Sequence, residues 1–509
     1  MQAKLNELKT RLLEAYDLHM AASVLRWDQS TYMPSGGAEA RGRQLALLSR
    51  LAHDRLTDAS VGRLLDQLGP WAETLPYDSD EAALVRVTRR DYDQAVRVPG
   101  EFVSELNHHL ALSYQAWTEA RPRNDFSRVR PLLEKTLDYS RRYADFFPGW
   151  ESVADPLIDR ADYGMKAATV RAVFDELRRR LVPIVQAITR RPLADNSCLR
   201  RPAPQEKQLA FGLEVIRRFG YDFNRGRQDL THHPFMTKFS LGDVRITTRV
   251  RLDDLTDSLF STLHECGHAL YEQGIRAEFE GTPLATGTSA GVHESQSRLW
   301  ENLVGRSLGF WKHFYPDLQQ AFPGPLGSVP LETFYRAINK VERSLIRTDA
   351  DEVTYNLHVM MRFDLEIDLL EGRLAIRDLP GAWRERFERD IGIPVPDDKD
   401  GVLQDVHWYA DFIGGEFQGY TLGNILSAQF FEAAVTADPG IPGEIEAGRF
   451  DALRAWLREN VYQHGAKFTA SELVERATGR PMGTDAYLRY LWSKYQPLYR
   501  LEGEPPAAR

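Results

Sequence analysis

His264, Glu265 and His268 stand in the order H-E-x-x-H. On an α-helix, residues i and i+4 share a face, so both imidazoles point into one small volume. Two such imidazoles supply two of the three protein ligands of a catalytic zinc site, whose remaining position is kept for water or substrate. Glu265, beside the first histidine, is placed to take a proton from that water. The chemistry this predicts is metal-assisted hydrolysis. A short pattern of this kind is a hypothesis that its surroundings must support.

The reading needs a helix, and the flanking residues predict one. Residues 251–258 are rich in N-cap types and early-turn acids, and Gly274 is a plausible stop. Leu255, Leu259, Leu263 and Leu270 recur at helical spacing and would bury the far side. Cys266 lies about 200° around the helix from His264, so it reads as a packed thiol and not a ligand. Gly267 weakens a helix by about 1 kcal/mol relative to alanine; a glycine there suggests that something approaches the helix closely.

The third ligand should come from a later segment. Residues 281–291 have the composition of a loop, and the stretch beginning at Val292 reads as a helix. It carries His293, Glu294 and Glu301, all able to bind zinc, and spacing alone does not choose among them. Upstream, Val244, Ile246, Thr248 and Val250 alternate with polar residues, and residues 236–240 suit a partner strand. The edge of such a hairpin can hydrogen-bond an extended peptide, although a purely structural role is the competing reading.

Elsewhere the period is near 3.6. Leu5, Leu8, Leu12 and Tyr16 form one face. Phe174, Leu177, Leu181 and Ile184 form another, with Pro183 able to kink its end, and Phe334, Ile338, Val341 and Leu345 form a third. Pro/Gly clusters at 33–37, 322–327, 391–396 and 438–443 read as loops between helices, and the tail 502–509 as frayed. The chain of 509 residues is 43% apolar with a net charge of −9. That is globular composition with no attraction to nucleic acid or anionic membranes. Two cysteines make no disulfide framework, which fits a reducing compartment; the first residues lack a signal-peptide core, and no apolar run is long enough to span a bilayer.

Further motifs follow in order. They are Trp27-Asp28-Gln29 with Tyr32-Met33-Pro34 and residues 36–41, His233-Pro234-Phe235, and Asp243-x-Arg245-x-Thr247. Then come His293-Glu294-Ser295-Gln296, Ile346-Arg347-x-x-Ala350-Asp351 and Gly401-x-x-Gln404-Asp405-x-His407-Trp408. With the H-E-x-x-H, this series resembles the metallocarboxypeptidases of the carboxypeptidase Taq type nearly end to end.

The resemblance implies that His264, His268 and Glu294 bind the metal and that Glu265 is the general base. It implies a mainly α, neurolysin-like fold, with residues 1–509 forming a single catalytic domain. Two helical lobes would flank a deep substrate groove, with a small sheet beside the metal. His407 and Tyr420 are candidate donors to the oxyanion, as a similar pair serves in neurolysin-like enzymes. Arg347 and Arg245 suit the free carboxylate of a peptide, since a guanidinium binds carboxylates bidentately; either is otherwise a structural ion pair, with Asp349 and Asp351 near Arg347. His233 is a third candidate contact. The expected activity is release of single C-terminal residues from peptides by a cytoplasmic homodimer containing zinc, with cobalt or manganese as alternatives. The competing readings are an oligoendopeptidase or dipeptidyl-carboxypeptidase on the same scaffold, and a peptide-binding scaffold without catalysis.

Overall fold

Helical periodicity sets most of the architecture. The computed structural model of the chain describes residues 1–503, and the tail beyond, expected to fray, lies outside the described residues. The chain folds into two compact units, each assembled from separate stretches of sequence. The first comprises Met1–Val96, Asp195–Ile338 and Ser427–Met482, and the second Arg97–Ala194, Asn339–Leu426 and the chain from Gly483. Both are mainly α, and among the described residues no helix is long and apolar enough to cross a membrane.

In the first unit, Leu5, Leu8 and Leu12 are buried on one face of the Gln2–Thr31 helix, as their spacing predicts. This helix folds back on the Ala38–Leu56 helix through residues 32–37. The N-terminal motif residues make the clip: Arg41 donates to Asp28 at 2.7 Å and to the Leu25 carbonyl at 2.5 Å.

The same unit holds the one sheet among the described residues, of strands β1 (Gln228–Leu230), β2 (Met236–Ser240) and β3 (Asp243–Thr248) in the order β1-β3-β2. β2 and β3 form the expected antiparallel hairpin, with Val244, Ile246 and Thr248 buried and Val250 outside the strand. β1, parallel to β3, was not foreseen, since three residues carry no legible alternation. Thr247 binds the H-P-F segment: its Oγ1 accepts from the Phe235 N–H at 2.8 Å, and its N–H donates to the Phe235 carbonyl at 2.9 Å.

In the second unit, Phe174, Leu177, Leu181 and Ile184 line the buried face of the Ala167–Thr189 helix, which runs on past Pro183. One helical expectation fails. The Leu331–Ile338 helix, which ends the middle stretch of the first unit, stops before Val341 and Leu345. The reason lies in the backbone donors beyond it. The Val341 N–H is taken by the Tyr499 hydroxyl at 2.8 Å, and the Glu342 N–H by the Asp351 carboxylate at 3.1 Å.

Candidate active site

The H-E-x-x-H sits in the Leu255–Gly274 helix, whose first turn is capped by the Asp254 carboxylate accepting from the Thr256 N–H. Leu255, Leu259, Leu263 and Leu270 are buried, which fixes the rotation of the helix. Cys266 is fully buried and burial pushes its thiol up, so it stays protonated. Gly274 belongs to the helix and is not a left-handed cap; a Cβ there would lie 2.6 Å from the Cβ of Tyr462.

Gly267 is the close-approach point. A Cβ on it would lie 2.5 Å from the Gln296 carbonyl oxygen and 2.6 Å from Ser297 Cα. Those backbone atoms belong to the Ala290–Arg298 helix, capped by the Ser289 side chain. The missing Cβ therefore lets the helix that carries Glu294 lie directly on the helix that carries the histidines. Glu294 Oε2 comes within 3.6 Å of His264 Nε2 and 3.4 Å of His268 Nε2. One ligand atom from each of the three residues lies within 4.8 Å of the others.

The other two candidates for a third ligand stand behind the histidines. Glu301 Oε2 accepts from His264 Nδ1 at 2.9 Å. It is placed by a π-helical stretch, Leu299–Val304, that follows the Glu294 helix. His268 Nδ1 lies 2.7 Å from His293 Nδ1 and 3.1 Å from the His293 carbonyl oxygen. The hydrogen-bond network thus assigns a proton to both Nδ1 atoms and leaves both Nε2 lone pairs facing the Glu294 carboxylate. Three electron-rich atoms this close repel one another unless a cation or protons lie between them. Two imidazoles with one carboxylate fit a divalent transition ion.

The carboxylates differ in environment. Burial pushes Glu265 up to about 7, against the pull of His264. The backbone N–H of Met236, on β2, makes a smaller pull in the same direction as His264. Burial also opposes the charge on Glu294, but Arg298, His264 and His268 outweigh it and hold Glu294 well below its usual value. The Arg298 Nε–H donates to Glu294 Oε1 at 2.7 Å, leaving Oε2 toward the histidines. Glu301 is held down to about 2: burial is overcome by His264, Arg298 and Arg306. Arg298 and Arg306 escaped the sequence reading. The only signal for Arg298 was its i+4 spacing from Glu294.

Other candidates are placed as follows. Arg245 is half-buried, pairs with Asp243 through two 2.8 Å hydrogen bonds and lies over the Trp27 ring at 4.6 Å. His233 is exposed, with Nδ1 3.1 Å from its neighbour's Pro234 carbonyl oxygen. In the second unit, Arg347 is only 6% exposed and grips Asp405 at 2.9 and 2.8 Å while donating to the Tyr355 hydroxyl at 2.7 Å. Its ion-pair partner is therefore Asp405, not the sequence neighbours Asp349 or Asp351. Arg362 joins the same carboxylate at 2.8 Å, and Gln404 Oε1 accepts from the Arg347 N–H at 2.9 Å. His407 Nε2 lies 3.0 Å from the Tyr420 hydroxyl. Burial lowers the His407 pKa, against the pull of Asp405.

A mainly helical fold with this cluster defines a metal-dependent hydrolase, and the comparisons make the class specific. Residues 7–495 match the Carboxypeptidase Taq (M32) metallopeptidase family, and the chain belongs to it. Thermostable carboxypeptidase 1 of Thermus thermophilus is 42% identical over 489 residues, covering 94% of this chain and 95% of the relative. Carboxypeptidase 1 of Bacillus subtilis is 34% identical over 485 residues, covering 94% and 96%. The crystal structure of an M32 carboxypeptidase from Deinococcus radiodurans R1 has a TM-score of 0.95 at 53% identity, covering 98% of this chain and 100% of that one. The protein is a metallocarboxypeptidase that acts on peptides and uses a divalent metal.

Proposed function

We propose that this metallocarboxypeptidase releases single C-terminal residues at a zinc ion held by His264, His268 and Glu294, with Glu265 as general base. The observation that carries the reading is the convergence of one ligand atom each from His264, His268 and Glu294 within 4.8 Å, beside a buried glutamate. A divalent ion held there would supply Lewis acidity and lower the pKa of water toward about 7. Glu265 accepts the proton of the attacking water, its carboxylate steadied by the Met236 N–H. A neighbouring cation favours the ionised form and so opposes the upward pull of burial. His407 and Tyr420 donate to the oxyanion, where losing one donor costs about 3 kcal/mol. The sequence resemblance carries these two roles, and their mutual hydrogen bond suits a shared task.

The substrate's free carboxylate is assigned to Arg245, Arg347 or His233. Arg245 is the more accessible arginine, whereas Arg347 reaches a ligand only by loosening Asp405. Cobalt or manganese suits the same donors. Residues 1–509 act as one catalytic domain in a cytoplasmic homodimer, as the resemblance implies. Two buried, unpaired cysteines suit a reducing compartment.

The test is mass spectrometry of a peptide digest with and without chelator. A ladder of single-residue losses from the C-terminus that stops with chelator and resumes with zinc supports the reading. Two-residue steps, internal cuts or chelator-resistant turnover contradict it.

A further inference from the structure

His268 does not end the hydrogen-bonded chain that begins at the ligand cluster. Its Nδ1 meets His293 Nδ1 at 2.7 Å. The far nitrogen of that ring, His293 Nε2, lies 2.9 Å from Glu272 Oε1. Glu272 is 2% exposed, and its other oxygen accepts from Lys238 Nζ at 2.7 Å. Lys238 belongs to β2.

The order of donors along this chain is forced. Lysine only donates and an ionised carboxylate only accepts, so His293 carries its proton on Nε2. Its Nδ1 is then an acceptor, and with its carbonyl oxygen it receives the one proton of His268 Nδ1. That leaves the His268 lone pair on Nε2, toward Glu294. His293 is thereby removed from the ligand set: one nitrogen faces the back of His268 and the other is held by Glu272. The fit around the ring is tight, since a Cβ on Gly287 would lie 2.7 Å from His293 Cδ2.

We infer that His293 is a positioning residue for the metal, fixing the tautomer and the ring angle of His268, and that the Glu272–Lys238 pair fixes His293 in turn. The inference rests on the proposed ligand set. It deepens that set, because His264 is backed by a carboxylate alone, whereas His268 is backed by a second imidazole anchored to the edge strand. Partners of this kind alter metal affinity by about 10–100-fold when removed.

The experiment compares wild type, His293→Phe and Glu272→Gln, each stripped of metal and titrated with zinc against a competing chelator, then with cobalt(II) followed by visible absorption. His293→Phe should weaken zinc binding by about 10–100-fold and shift the cobalt bands, with kcat falling more than KM rises. Glu272→Gln keeps volume and a hydrogen-bond acceptor, so it should show a smaller change in the same direction. It also serves as the second probe if His293→Phe folds poorly. Metal affinity and cobalt spectrum unchanged in a folded His293→Phe and in Glu272→Gln would overturn the inference while the ligand set stands. A wild type that takes up no ion would overturn the ligand set and this inference with it.

Discussion

Glu294 carries two interactions on one carboxylate. Oε1 takes the Arg298 hydrogen bond at 2.7 Å, and Oε2 faces both imidazoles. Removing the side chain leaves two imidazoles and a half-buried guanidinium without its nearer partner. Glu294→Ala is therefore expected to lose most of its metal on dialysis, measured as metal per chain by elemental analysis; unchanged content would move the third ligand to His293 or Glu301. The residue types were legible in the sequence: two histidines at i and i+4, the glutamate between them, and three later donors. Which donor faces the histidines was not legible from spacing. It depends on how the Glu294 helix is rotated and how near it lies, and both are set by contacts remote in sequence. Arg347 teaches the same lesson, because its partner Asp405 lies far along the chain while two nearer aspartates looked adequate.

Gly267 acts at the scale of elements. Alanine would favour the isolated helix by about 1 kcal/mol, but its Cβ would meet backbone atoms at 2.5 and 2.6 Å, an overpacking that costs about 1–3 kcal/mol. The clash wins because backbone cannot swing aside as a side chain can. Gly267→Ala should melt lower than wild type as apoprotein and bind zinc more weakly. Equal melting temperature and affinity would show that the helix–helix contact is slack. The sequence foretold a close approach here but not which helix makes it. It foretold the buried leucine faces and the β2–β3 hairpin, where period and burial agree. It failed past Ile338, where apolar spacing continues but side chains take the backbone donors that a helix would use.

Across the whole molecule, stability should respond to pH through buried acids outside the His264, His268 and Glu294 cluster. Glu366, in the Tyr355–Leu370 helix, is pushed up to about 8 by burial, only partly offset by the Trp408 Nε1–H bond, which is 2.7 Å long. The folded chain thus holds a proton that the unfolded chain releases near pH 4.5. The resulting stability is complete below pH 4.5 and is lost as pH rises through about 8, with a slope of at most about 1.4 kcal/mol per pH unit. Glu366→Gln removes the titrating group, so its denaturation midpoint should fall less than that of wild type between pH 5 and 9. Parallel curves would place Glu366 at an ordinary value. Direction of attack is also a property of the assembled enzyme. Amidating the C-terminus of a peptide should suppress cleavage, and equal rates on acid and amide would favour an endopeptidase.

The central claim is that Glu265 takes the proton from water while two histidines and Glu294 hold the metal. Glu265→Gln tests it most directly, because the amide keeps the shape and cannot act as the base. Metal content should stay at the wild-type level while kcat for C-terminal release falls by about 100-fold or more. Turnover near the wild-type rate with metal bound would contradict the account.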